Sequence, residues 1–278
     1  MPVLKKGSRG PDVAELQRLL TAAGWPCKDD GVFGQITENA VKEYQAEYGL
    51  TVDGKAGERT MASLRGQITS SPPVAEIWGV DVAEFNSPDY DGLAAADCAF
   101  AIVRAMTGSD KQGKMREDAK LRTHLAGFER VKIPVIGAYA WTVPSRPGVE
   151  QARLMRSICD GLDIFRALDH EPIGTWRDPA AATNTAVGFV QELACDGRKT
   201  PVYTGEWALR QAPLPTLGDC PLWLSHFGLT HWPAPVAPWS VVTLWQCGYV
   251  DPGAAETKRI DKNVFRGTLA DLRRAMGE

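Results

Sequence analysis

Apolar positions fall with two different periods along this 278-residue chain. Up to about residue 66 they recur every three or four positions. Val13, Leu16, Leu19 and Leu20 make one stripe, and Ala40, Val41, Tyr44 and Tyr48 make a second, the spacing of an amphipathic helix. Pro11 suits the first turn of the first helix, while Gly24 and Gly49 suit the positions just past two helix ends. From residue 77 onward, short apolar runs alternate with helical patterns. The strand candidates are 77–83, 99–106, 134–141, 163–171, 201–204, 222–227, 241–246 and, more weakly, 261–265; helical patterns fall near 115–129, 149–161, 180–195, 206–212 and 267–276. This alternation predicts a parallel, closed α/β barrel. About 200 residues is short for a barrel with all eight helices, so some should be missing. The chain divides accordingly into a small all-α three-helix domain at 1–66, a linker at 67–76 and the barrel at 77–278. Ser, Thr and the Pro72-Pro73 pair give the linker its extended, semi-rigid character.

The helical domain contains a repeat. Residues 30–41 and 53–64 match at an offset of 23, and both read D-G-x-x-G-x-x-T-x-x-x-apolar. The Asp30-Gly31 and Asp53-Gly54 pairs predict tight turns, and Thr37 and Thr60 are N-cap candidates for the helices that follow. With Gly7, Gly10, Gln17, Gln45 and Gly49-Leu50, these units resemble the peptidoglycan-binding domain 1 family across nearly all of residues 3–66. The resemblance implies cell-wall binding; a folding or dimerisation module is the plainer alternative.

Composition removes several function classes. The formal charge is −3 with no basic block, which argues against nucleic acid as a partner. No apolar run approaches the length of a membrane span, and no long apolar segment follows Lys5-Lys6, so neither membrane insertion nor a secretory leader is expected. Six scattered cysteines and four histidines show no zinc-type spacing, so no metal and no cofactor is expected, and the thiols read as reduced and buried. Nine tryptophans, most of them packed in cores, leave room for an aromatic binding cleft.

Polar residues recur near the C-terminal ends of the barrel's predicted strands, the face where such barrels carry their chemistry. They are Asp81, Arg104, Tyr139 with Trp141, Asp169 with Glu171, Tyr203, and Trp245-Gln246; the last run begins at Asp261. Asp169 and Glu171 are two apart, so on a strand they share one face with Cα atoms roughly 7 Å apart. Crowded carboxylates repel, and one pKa should rise, as glycoside hydrolysis requires of its general acid. His170 between them should point the other way and pack against a helix.

Taken in order, 79–82, 100–105, 137–139, 168–171, 201–205, 222–223, 244–246 and 261–265 resemble the family 25 glycoside hydrolases, the muramidase lysozymes of phage endolysins and bacterial autolysins. The resemblance implies an irregular barrel of about eight strands and five helices. It also implies hydrolysis of the β-1,4 bond from N-acetylmuramic acid to N-acetylglucosamine. Glu171 matches the general acid and Asp169 its ionised assistant, while Asp81 and Asp261 match further acids of the cleft. Arg104, Tyr139, Trp141, Tyr203 and Trp245 fall at the sugar-binding face. Ala140-Trp141, His170 and Cys247 depart from the family's usual residues. Which of Asp81, Asp169 and Asp261 is the second catalytic group stays open, as does the choice among retaining, inverting and substrate-assisted routes. A non-catalytic wall-binding barrel, a glycosidase for another glycan and a peptide-cleaving enzyme are the competing readings. The implied partner is peptidoglycan, met by a monomer that waits in the host cytoplasm until release to the wall.

Overall fold

The computed structural model describes residues 3–66, 75–109, 114–172, 174–229, 232–250 and 259–277. The chain divides into two compact units, Met1–Val74 with Leu229–Pro235, and Ala75–Gly228 with Val236–Glu278. The expected linker lies outside the described residues up to position 74, and Glu76 already opens the first strand.

Helices α1 (Pro11–Ala22), α2 (Gln35–Glu47) and α3 (Glu58–Leu64) build the first unit. Val13, Leu16, Leu20, Trp25, Phe33, Val41, Tyr44 and Met61 form its core. Pro11 starts α1 as expected, and Gly24 and Gly49 follow the ends of α1 and α2 with positive φ. The caps differ from expectation: Gly34 and Gly57 take the N-cap positions, with no side-chain cap. Thr37 and Thr60 sit inside the first turn and are buried, because each hydroxyl accepts from a buried glutamine. Gln17 Nε2 reaches Thr37 Oγ1 at 3.2 Å, and Gln45 Nε2 reaches Thr60 Oγ1 at 3.2 Å. The same two side chains clamp the Asp-Gly turns. Gly31 N–H donates to Gln17 Oε1 and Gly54 N–H to Gln45 Oε1, both at 2.9 Å.

The second unit holds β1 (Glu76–Val82), α4 (Tyr90–Ala95), β2 (Phe100–Ser109), β3 (Lys114–Glu117), α5 (Leu121–Arg130), β4 (Val135–Trp141), α6 (Gly148–Ile158), β5 (Phe165–Asp169), α7 (Pro179–Leu193), β6 (Val202–Thr204), α8 (Glu206–Gln211), β7 (Leu222–Ser225), β8 (Leu244–Val250), β9 (Ile260–Arg266) and α9 (Leu269–Met276). The strands follow the order β1-β9-β8-β7-β6-β5-β4-β2-β3, and pairing of β1 with β2 closes an eight-stranded barrel with β3 as an added hairpin strand. The expected helix near 115–129 therefore begins as strand β3, and α4 is a sixth helix among the described residues. The barrel is also not wholly parallel, since β9 runs antiparallel to both neighbours. Antiparallel neighbours need no crossover helix between them.

Side chains fill the barrel, as its small diameter demands. Phe100, Ile102, Phe165, Trp223, Leu244 and Phe265 pack inside with Leu272 and Met276 of α9. Gly79 and Gly137 make room for two of these rings: an added Cβ would fall 2.4 Å from the Phe100 ring and 2.2 Å from the Phe165 ring. Among the described residues no helix is long and apolar enough to cross a membrane. All six cysteines are free; Cys98 and Cys159 are buried, but Cys195 is exposed, against the expectation of burial.

Candidate active site

The inward alternation that packs the barrel also aims its polar ends. In β1, Gly79 faces the interior and Asp81 follows two residues on; in β5, Ala167 is followed by Asp169. Glu171 lies just beyond the end of β5. Asp261 enters from the opposite strand direction, which puts the start of β9 beside the ends of the other strands. Its Cα pairs with that of Asp81, so the two side chains share a face. Asp169 pairs with Trp141 on one side and Tyr203 on the other. Three strands thus bring Asp81, Asp169, Glu171 and Asp261 to one rim.

Asp81 is buried, and two side-chain amides hold its carboxylate. Its Oδ2 accepts from Gln246 Nε2 at 2.9 Å and Asn263 Nδ2 at 2.8 Å. Both amides are held in that orientation from behind. Trp223 Nε1 donates to Asn263 Oδ1 at 2.7 Å, while Tyr203 Oη and Ser225 Oγ donate to Gln246 Oε1 at 2.9 and 3.2 Å. Burial raises the Asp81 pKa, and the two amide donors oppose that rise.

The other three acids are raised as well. Burial and then the Asp81 charge push Glu171 up to about 7, against a smaller lowering from the Tyr203 hydroxyl. Burial, Asp81 and Glu171 push Asp261 up to about 8. Asp169 is raised well above its ordinary value by burial, Glu171 and Asp81, in that order, and Arg104 only partly offsets this. Its Oδ1 is buried with no hydrogen-bond partner, and Arg104 is the group that favours its charged form. The phenols of Tyr139 and Tyr203 are likewise raised, first by burial and then by these carboxylates.

The remaining expected contacts divide. Tyr139 and Tyr203 face inward and pack edge-on against Trp223, with centroids 6.0 and 4.7 Å away. Trp141 borders the acids, its Nε1 donating to the Glu171 carbonyl at 2.9 Å. Trp245 turns away from them. Leu244 and Gln246 occupy the inner face of β8, so Trp245 takes the outer one and donates Nε1 to the His226 carbonyl at 2.7 Å. Arg104 is also committed elsewhere than to a sugar. Its Nε donates to Asp118 Oδ2 at 2.6 Å, Nη2 lies 3.0 Å from Glu84 Oε1, and Cζ lies 5.0 Å from the centre of the Phe85 ring. His170 points outward, as its place between two inward acids requires. It is buried, and its Nε2–H donates to the carbonyl oxygen of Ala212, just past α8, at 2.9 Å.

Sequence reasoning named Gln246 among the polar strand-end residues but gave it no role, and it gave none to Asn263. Strand alternation carried the signal: 244 and 246 share a face, as do 261 and 263. Among the described residues no group of three or more His, Cys, Asp and Glu side chains is placed to hold a metal ion.

Residues 9–64 match the peptidoglycan binding domain family, and residues 80–254 match glycosyl hydrolases family 25. Over 63 residues, 22% of this chain, the sequence is 46% identical to a spore cortex-lytic enzyme of Halalkalibacterium halodurans. The chain spans about a fifth of that curated relative's length, the matched part being 19% of it. Two solved structures share the fold over 73% of this chain at a TM-score of 0.61. One is the Clostridium perfringens spore cortex lytic enzyme SleM, 23% identical with 71% of it covered. The other is a family GH25 lysozyme from Aspergillus fumigatus, 19% identical with all of it covered. Asp261 and Asn263 lie beyond the matched span, yet they complete the site from β9. With its family match covering most of the chain and its four acids gathered on the rim of a closed barrel, the chain belongs to glycosyl hydrolases family 25.

Proposed function

We propose that the chain hydrolyses the β-1,4 bond between N-acetylmuramic acid and N-acetylglucosamine in bacterial peptidoglycan, and that its helical unit binds the wall. The observation that carries this reading is Glu171, a carboxyl raised to about 7 beside three further acids on one rim. At neutral pH such a group keeps a proton to give to the leaving oxygen. Asp81, held by two amide donors, supplies the negative charge that keeps Glu171 protonated and that stabilises a developing oxocarbenium ion. Asp169 offers its unpartnered Oδ1 to the N–H of a 2-acetamido group, which turns the acetamido oxygen toward the anomeric carbon. Asp261, raised to about 8, is a neutral neighbour rather than a second anion at neutral pH. Arg104 is a positioning residue that favours the Asp169 anion from a distance. An endolysin role, with release from the host cytoplasm to the wall, fits the pairing of a wall-binding module with a hydrolase barrel.

The test is Glu171→Gln. Hydrolysis of purified walls should fall by at least about a hundredfold, the usual contribution of a positioned general acid, while sedimentation with walls stays unchanged. Near-normal turnover in that variant would remove Glu171 from the role.

A further inference from the structure

β5 ends at Asp169, so Glu171 lies two residues past the strand and needs other anchors than the ladder inside it. Parallel pairing supplies one further bond, as the His170 N–H donates to the Tyr203 carbonyl at 2.9 Å. Beyond it, side chains hold the main chain. Thr204 Oγ1 donates to the His170 carbonyl at 3.1 Å, and Trp141 Nε1 donates to the Glu171 carbonyl at 2.9 Å. The peptides on both sides of the Glu171 Cα are thus pinned. Peptides are planar, so pinning both of them fixes the direction in which the Glu171 side chain leaves the backbone.

The His170 side chain is one more tether, and it runs to a different element. It points away from Asp169 and Glu171, and it is 1% exposed. Its Nε2–H reaches the Ala212 carbonyl at the C-terminal end of α8, where a helix leaves carbonyls without intrahelical partners. Its ring stacks on Trp176, with centroids 5.2 Å apart, and the Trp176 N–H donates in turn to Gln211 Oε1 of α8 at 3.2 Å. Burial holds the imidazole pKa below its ordinary value, so at neutral pH the ring adds no charge behind the acids. An apolar side chain at this position, inside the D-x-E motif, has no donor for that buried carbonyl.

We propose that His170 is a positioning residue for Glu171: by tying the end of β5 to the end of α8, it holds the general acid's peptide against the Thr204 hydroxyl and keeps the carboxyl aimed into the rim. The proposal rests on the reading above in which Glu171 protonates the leaving oxygen. His170 touches no substrate in this account and acts through the main chain alone.

The test uses three variants of the full chain. His170→Phe keeps a ring against Trp176 and removes the donor. His170→Gln keeps a donor of similar reach and removes the ring. Thr204→Val removes the hydroxyl at nearly constant volume, and it probes the same peptide should His170→Phe not fold. Two quantities are measured on each: kcat and KM on soluble wall fragments, and the titration midpoint of the Glu171 carboxyl by carbon-13 NMR. His170→Phe and Thr204→Val should each lower kcat about tenfold or more with KM within about threefold. In both, the Glu171 midpoint should fall by about one pH unit as the acid turns toward water. His170→Gln should recover most of both quantities. A parental midpoint in His170→Phe or in Thr204→Val would overturn the proposal, whatever happens to kcat. So would a His170→Gln as impaired as His170→Phe, which would assign the residue to packing. If the parent itself releases no sugar ends, the glycan-cleaving reading fails, while the titration still reports on the tether.

Discussion

Glu171 keeps its proton because burial and the Asp81 charge act in the same direction. Hydrolysis should therefore decline as pH rises through about 7, and the pH dependence of kcat/KM on soluble wall fragments measures that limb. A flat profile from pH 5 to 9 would contradict it. The same shift has a stability consequence. A carboxyl raised above its unfolded value binds more protons in the folded chain, so this site destabilises the fold progressively as pH climbs from about 4.5 to about 7, and not below. Glu171→Gln should thus gain stability over the parent, by roughly 3 kcal/mol at pH 8 and close to nothing at pH 4. Denaturant melts at the two pH values would show it, and an equal difference at both would count against the buried-charge account. At this scale strand alternation paired Asp169 with Glu171, and the family resemblance added Asp81 and Asp261 to the same cleft. Gln246 was named at its strand end but given no role, because an amide beside Trp245 carries no charge, and the aromatic neighbour looked better suited to a sugar. Its importance is set by Asp81, 165 positions away in the chain. Asn263→Leu removes one of the two donors to Asp81. It should lower kcat on wall fragments by about tenfold or more with less effect on KM, since the lost interaction bears on charge at the reacting centre.

The repeated turn-and-helix element of the first unit shows how a short motif is made rigid. Each Asp-Gly turn is closed by one buried glutamine that both donates and accepts. Gln17→Ala would leave the Val32 carbonyl, the Thr37 hydroxyl and the Gly31 N–H without that partner. The expected loss is about 2–4 kcal/mol of the helical unit's stability, readable in denaturant unfolding; a change below about 0.5 kcal/mol would deny the clamp its role. The turns and the three helices were visible in composition and period. The threonines were misread as caps because a D-G-x-x-G-x-x-T string places a hydroxyl near a helix start, and only the distant Gln17 and Gln45 show which group it serves. Elements of four to six residues such as β3 and α4 are too short to display a period. The reversed direction of β9 left no mark in its own residues, because alternation reads the same either way along a strand.

For the molecule as a whole, closure of β1 on β2 is what turns separate strand ends into one acidic rim, with Asp81 on one of the closing strands. The helical unit adds local concentration to that rim if it holds the wall. Removing residues 1–66 should then reduce lysis of whole walls at least tenfold more than hydrolysis of short soluble fragments, followed by turbidity and by reducing-sugar release respectively. Equal losses on both substrates would assign the helical unit to folding instead. The central claim concerns the bond that the rim cleaves, and one measurement reads it directly: digestion of borohydride-reduced peptidoglycan with mass spectrometry of the newly formed ends. New reducing ends at N-acetylmuramic acid are the predicted result; new ends at N-acetylglucosamine, or new amino termini without sugar ends, would contradict it.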